Sequence, residues 1–157
     1  KYPVAIRVPG NGVISNPNYK PIDFDSLNKY SVTKEGGKVA ILGLGTFYQL
    51  GESVADEIKK QYGIDATVVN PVYITGTDED LLAELAKTHD VVITLEDGIL
   101  NGGFGEKIAR FYGDSNMKVL NFGAKKEFTD RVPVEELYKR YHLTPELIAD
   151  DILKAGN

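Results

Sequence analysis

Val91-Val92-Ile93-Thr94-Leu95-Glu96-Asp97-Gly98 leads through Ile99-Leu100-Asn101 into Gly102-Gly103-Phe104-Gly105-Glu106, and this passage decides the fold class. A run of apolar and β-branched residues with no polar alternation reads as a strand covered on both faces, the mark of a parallel sheet lying between helices. The strand then meets two carboxylates and a glycine-rich turn that opens a helix. Ligands in open α/β sheets gather outside the carboxyl ends of such strands, so the position is a candidate site before any chemistry is assigned.

Working outward, the same alternation of strand and helix continues on both sides. Lys38-Val39-Ala40-Ile41-Leu42-Gly43 reads as a central strand stopped by the turn at Gly45-Thr46. A helix from about Phe47 to Tyr62 follows, with Leu50, Val54, Ile58 and Tyr62 near helical spacing and Gly63 suited to a left-handed cap. After a strand from Ala66 to Val69, Thr77-Asp78-Glu79-Asp80 starts a helix running to Lys87, with Thr77 as the expected cap and the acidic residues at the positive helix end. Downstream come a helix near Gly105 to Phe111, a strand from Lys118 to Phe122, a polar loop from Gly123 to Pro133, and two short helices, Val134 to Tyr141 and Pro145 to Leu153. With a short strand at Tyr30 to Thr33, the pattern predicts a three-layer α/β/α sandwich around a mainly parallel sheet of about five strands, joined by right-handed crossovers.

The 157 residues suffice for one domain, and a domain near this size buries roughly 70% of its unfolded surface. There is no cysteine, which excludes a thiolate nucleophile, an iron–sulfur cluster and a cysteine-rich zinc site. The two histidines, His89 and His142, cannot build a histidine-rich metal site. A net charge of −5 without a lysine and arginine cluster argues against a nucleic-acid surface. No apolar run approaches the roughly 20 residues that cross a bilayer, and the first residues lack the layout of a signal peptide, so a cytoplasmic location without membrane contact is expected. The chain opens on Lys1 with a strand-like Tyr2-Pro3-Val4-Ala5-Ile6-Arg7-Val8, as a piece of a longer protein would. Pro9 to Asp25 then carries three prolines, three asparagines and two glycines, the composition of a linker.

Each candidate site has a plain alternative. Gly43-Leu44-Gly45-Thr46-Phe47-Tyr48 begins like a dinucleotide fingerprint, but Tyr48 replaces the last glycine; the bland version is a tight turn with Thr46 as N-cap. Gly98 to Gly105 is rich in glycine like a phosphate cradle, yet no Gly-Lys-Ser/Thr ending follows. Its helix-start amides, at Gly102 and Gly103, and those at Gly45 and Thr46 could hold a carboxylate or phosphate, or the glycines could serve close packing between subunits. Glu96 and Asp97 are adjacent on a strand end and point in opposite directions, so they cannot face one another as an acid and base pair; one can face a cleft while the other caps the turn. His89 sits between a helix end and a strand, where a cation complements the helix C-terminus.

Taken in order, Pro3-Val4-Ala5-Ile6-Arg7, Val39-Ala40-Ile41-Leu42-Gly43-Leu44-Gly45-Thr46, Val91 to Gly98 with Gly102-Gly103-Phe104-Gly105, and Val119-Leu120-Asn121-Phe122-Gly123 resemble the C-terminal domain of the transketolase-like thiamine diphosphate enzymes. Within that family the chain is most similar to the 1-deoxy-D-xylulose 5-phosphate synthases. The resemblance implies residues 1–35 as the tail of an upstream pyrimidine-binding domain plus linker, and 36–157 as the C-terminal domain. It implies an intact enzyme, a transferase of aldehyde or ketone residues, that condenses pyruvate with glyceraldehyde 3-phosphate for isoprenoid precursor, thiamine and pyridoxal biosynthesis. Thiamine diphosphate and magnesium would be held by missing upstream domains, the assembly would be a homodimer, and this piece would be inactive alone, with no catalytic residue or metal site of its own. Its substrate-proximal residues would be Arg7, Asn11, Glu96 and Asp97.

Two departures from the family pattern matter. The motif Arg-Tyr-Pro-Arg-Gly becomes Arg7-Val8-Pro9-Gly10-Asn11, so the arginine that in the family grips the acceptor's phosphate falls on Gly10. Loss of one such charge-assisted contact weakens binding by about 1.5–3 kcal/mol if nothing replaces it. The family's Asp-x-Arg-Phe likewise reads Asn70-Pro71-Val72-Tyr73. These leave open a divergent enzyme with another acceptor, and a separate regulatory α/β module that binds an anion.

Overall fold

A computed structural model describes residues 2–6, 8, 12, 26 and 28–156. Five strands, β1 (Ser31–Lys34), β2 (Lys38–Gly43), β3 (Thr67–Asn70), β4 (His89–Ile99) and β5 (Lys118–Ala124), form one sheet in the order β1-β3-β2-β4-β5. β2, β3, β4 and β5 run parallel, and β1, on the linker side of the expected division at 35/36, pairs antiparallel with β3 at the edge. Five helices accompany them: α1 (Phe47–Tyr62), α2 (Glu79–Thr88), α3 (Phe104–Phe111), α4 (Val134–Arg140) and α5 (Pro145–Gly156). The expected sandwich is the observed one.

Alternation along the strands sorts the core into two layers. Val39, Ile41, Val91, Ile93 and Leu95 face α1 and α5, whose Val54, Ala55, Ile58, Ile148, Ala149 and Ile152 complete one layer. Ala40, Leu42 and Val92 face α2 and α3, and pack on Leu82, Leu85, Phe104 and Ile108. Ile41, Leu42, Ile58, Leu82, Ile93 and Leu95 are fully buried, each burial stabilising by roughly 1.5–3 kcal/mol. In α1 the buried residues Phe47, Gly51, Val54, Ala55 and Ile58 form one stripe; Gly63 closes the helix at φ 68, its amide donating to Lys59 O, with Lys59 and Lys60 at the negative end.

Two expected caps are corrected. Thr46 is already helical at φ −63, ψ −24, and its side chain caps nothing, because a capping side chain needs the extended backbone that this residue has given up. At α2 the cap is Asp78, not Thr77. Asp78 keeps non-helical dihedrals, accepts from Leu81 N at 3.3 Å, and also accepts from Tyr30 N at 2.9 Å. That second bond, with Lys29 Nζ 3.1 Å away, ties the segment just before β1 to the cap of α2.

Candidate functional site

The chain passes from β2 outward to β3, then returns to the other side of β2 for β4. The carboxyl ends of β2 and β4 therefore flank the point where strand order reverses, the usual crevice of such sheets. Leu44 N donates to Leu95 O at 2.9 Å across this seam, which sets Gly45-Thr46 beside Glu96-Asp97. The structure thus brings together two segments that are 51 positions apart in sequence, one leading into α1 and one into the turn before α3.

At the β4 turn, register decides the geometry. Leu95 pairs with Phe122 and Ile99 with Ala124, so β4 spends four residues where β5 spends two. This bulge re-aims its side chains. Glu96, only 5% exposed, swings over the start of α3: Oε2 accepts from Phe104 N at 2.9 Å and Oε1 from Gly105 N at 3.0 Å. Gly103 N donates to Leu100 O at 3.0 Å, and Gly102 N to the Glu106 carboxylate at 2.9 Å. The amides from Gly102 to Gly105 are thus all engaged by the chain's own oxygens. Glycine is required for the approach, since a Cβ on Gly103 would lie 2.3 Å from Glu96 Oε2.

A buried threonine and a half-buried asparagine support this turn. Thr94 Oγ1 donates to Asn121 Oδ1 at 2.8 Å, and both crowd Gly105, where a Cβ would meet them at 2.5 and 2.7 Å. Thr94 and Asn121 were not foreseen as site residues. The available signal was period two: Thr94 and Glu96 share the face of β4 that carries Val92 toward α3. Asp97 is exposed where Glu96 is buried, so the two carboxylates stand in different environments.

At the β2 turn, Gly45 (φ 57) and Thr46 are exposed, and Phe47 N and Tyr48 N donate back to Leu44 O and Gly45 O at 3.0 and 3.2 Å. No carboxylate stands in the first turn of α1. Arg7, Gly10 and Asn11 lie outside the described residues.

His89 sits at the amino end of β4, seven residues and about 23 Å from Glu96 at strand rise, so it cannot join the carboxylates. Its ring is buried, and burial holds its pKa below the usual histidine value against the opposing Leu85 carbonyl and Asp90. Burial thus works against the cation expected at the helix end. Leu85 O, 3.1 Å away, can only accept, which places the proton on Nδ1; Nε2 then accepts from Thr67 Oγ1 at 2.8 Å, and Thr67 Oγ1 accepts from Gly36 N. His142 stands elsewhere, with Nδ1 2.5 Å from Asp151. Among the described residues no three His, Asp or Glu side chains converge as metal ligands, and no helix is long and apolar enough to cross a membrane.

Residues 28–148 match the family described as transketolase, C-terminal domain. Similar curated proteins are the 1-deoxy-D-xylulose-5-phosphate synthases of Clostridium tetani, 32% identical over 97% of this chain and 24% of the relative, and of Clostridium acetobutylicum, 35% identical over 97% and 25%. That of Caldanaerobacter subterraneus subsp. tengcongensis is 36% identical over 98% and 25%. The chain spans about a quarter of the length of these relatives. Among solved structures, a split-gene transketolase in an inactive β4 tetramer superposes with a TM-score of 0.78 at 26% identity, covering 92% of this chain and 46% of that one. A transketolase of Pichia stipitis, solved with sedoheptulose-7-phosphate, shares the fold with a TM-score of 0.58 at 18% identity, over 82% and 18%.

Proposed function

Since the chain belongs to the transketolase C-terminal domain family, we propose that it is the scaffold domain of a longer thiamine diphosphate-dependent transferase of the 1-deoxy-D-xylulose-5-phosphate synthase type. The observation that carries this reading is Glu96. A carboxylate of the chain itself occupies the helix start where α/β proteins of this topology hold a ligand's anion, which suits a supporting role for the β4 turn and not a catalytic one. The family match begins at residue 28, and Asn28, Lys29 and Tyr30 are tied to the loop before α2 and to its cap.

Among the described residues no three His, Asp or Glu side chains come together, so they offer no carboxylate set for the cofactor's magnesium. Thiamine diphosphate supplies the carbon–carbon chemistry when bound, and in this reading it is held by upstream domains of a cytoplasmic homodimer that takes pyruvate as donor. Glyceraldehyde 3-phosphate is the family's acceptor, with Gly10 in place of the gripping arginine. A regulatory anion-binding module is the competitor, and the uncapped start of α1 at Gly45-Thr46 is the feature in its favour.

The protein extended by its own upstream coding sequence should release carbon dioxide from pyruvate in the presence of thiamine diphosphate, magnesium and an aldehyde. No release with any aldehyde rejects the proposal. Gly10→Arg should lower the KM for a phosphorylated acceptor by about tenfold or more, the equivalent of one charge-assisted contact. An unchanged KM removes the phosphate-grip assignment while leaving the family activity in place.

A further inference from the structure

We propose that Asn101-Gly102, in the turn between β4 and α3, is a site of spontaneous deamidation, and that the Glu106 carboxylate is the latch that sets its rate. An asparagine followed by a residue without a Cβ is the pair that least hinders attack of the next backbone nitrogen on the side-chain amide. Both residues are exposed, and a Cβ on Gly102 would meet nothing within 4 Å. The Asn101 carboxamide has no hydrogen-bond partner among the described residues, so no bond holds it away from the backbone.

The step balances with water as the only co-reactant. Gly102 N gives up its proton to solvent and attacks Asn101 Cγ, and the new N–Cγ bond closes a succinimide. The Cγ–Nδ2 bond breaks, and the nitrogen leaves as ammonia, taking a proton from water. Water then adds to either imide carbonyl and opens the ring, to aspartate or to isoaspartate. Both products place a new negative charge one peptide from the Glu106 carboxylate, where like charge opposes the latch. Isoaspartate also routes the backbone through Cγ, one atom longer, so the 3.0 Å bond from Gly103 N to Leu100 O that closes the turn is lost.

Two features of the fold hold the reaction back, and Glu106 governs both. Gly102 N donates to Glu106 Oε2 at 2.9 Å, so its proton is tied to a carboxylate whose charge opposes the amide anion that must form. The turn is the second feature. Gly102 stands at φ 74 after a residue of negative φ, the type II arrangement, which sets ψ of Asn101 at about 120° and turns Gly102 N away from Cβ. The peptide plane between the two must rotate before the reacting atoms meet, and that rotation breaks the bond to Glu106. Glu106 is itself exposed, in the first turn of α3, and makes no ion pair among the described residues, so the latch is one hydrogen bond at a helix end.

The protein extended by its upstream region is held in mildly alkaline buffer, and the tryptic peptide Thr88–Lys107 is followed by mass and by chromatographic separation of aspartate from isoaspartate. The folded protein should convert at Asn101 at least about tenfold more slowly than the same protein unfolded in urea, the hold of one hydrogen bond to a charged group. Glu106→Ala should recover most of that factor, and Glu106→Gln, which keeps an oxygen without the charge, should fall between. Asn116, exposed at the opposite rim, should keep its rate in both variants. A folded protein that converts as fast as the unfolded one, or equal rates at Asn101 in the unaltered protein and both variants, would overturn the latch. Acceleration at Asn116 and Asn101 alike would show general loosening and overturn it as well. An Asn101 that stays intact even in the unfolded protein would overturn the site.

Discussion

The β2–α1 and β4–α3 turns are built from similar glycine-rich sequence on neighbouring strands, yet they end in opposite states. At β4 a bulge against β5 throws Glu96 over the helix start, and the first amides of α3 are sealed by a buried carboxylate. At β2 the strand pairs with β4 without a shift from Val39 to Gly43, no acidic residue stands in the first turn of α1, and the Thr46 side chain caps nothing. Glycine content therefore does not distinguish an anion site from a closed turn. What distinguishes them is whether the strand delivers a side chain of its own to the helix dipole.

The largest effects should come from filling the close approaches that both turns need. Gly43→Ala would put a Cβ 2.6 Å from Tyr48 Cα and 2.9 Å from Phe47 O, all backbone, and should cost about 3 kcal/mol or prevent folding, as overpacking of a rigid site does. Gly105→Ala, against Thr94 and Asn121, should follow at about 2–3 kcal/mol, since side chains can yield a little. Urea midpoints check both, and a soluble, fully stable Gly43→Ala protein contradicts the packing described.

Removing the seal separates the turns most clearly. Glu96→Ala leaves two buried amides unpaired and should lose about 2–3 kcal/mol, whereas Thr46→Ala should change stability by less than about 0.5 kcal/mol. Equal losses would erase the contrast.

At the other end of β4, His89 supplies a pH control independent of both turns. Its pKa is depressed in the folded state, so the unfolded chain binds more protons below the ordinary histidine value of 6.5. Its stabilising contribution is complete above 6.5 and declines as pH falls toward the folded value. His89→Gln should flatten that part of the stability profile between pH 7.5 and 5, and an unaltered profile would show that the imidazole titrates normally.

The smallest effect is expected at Tyr30, whose ring packs edge-on against Phe104 at the start of α3 with centroids 6.2 Å apart. Its buried hydroxyl has no hydrogen-bond partner among the described residues, and burial pushes its pKa up to about 12. Tyr30→Phe should be neutral or stabilise by up to about 1 kcal/mol, because it removes an unpaired polar group. A clear loss in thermal midpoint would reveal a partner for the hydroxyl.

Most of the framework was legible in the sequence for one physical reason: buried parallel strands and amphipathic helices write their periods directly into the residue pattern. Val39 to Leu42, Val91 to Leu95 and the stripe in α1 are local signals, and so is the left-handed closure at Gly63. What escaped depends on distant partners. Glu96 caps α3 because of register between β4 and β5, which no local pattern encodes. Asp78 displaced Thr77 as a cap because Tyr30, 48 residues earlier, also needs an acceptor there. Asn70-Pro71-Val72-Tyr73 read only as a departure from the family motif, since the positive φ of Val72 follows from Asn70 folding back on its amide. The expected substrate contacts at Arg7 and Asn11, with Gly10 between them, fall outside the described residues.

The central claim is that this chain supports a site it does not itself contain, and calorimetric titration tests it most directly. Titrated with inorganic phosphate and with thiamine diphosphate plus magnesium, the chain alone should give no saturable heat, and thiamine diphosphate should bind only when the upstream region is present. Saturable binding of either anion to the chain alone, retained in Glu96→Ala and lost on altering Thr46 and Gly45, would contradict the account and make the β2 turn a ligand site in its own right.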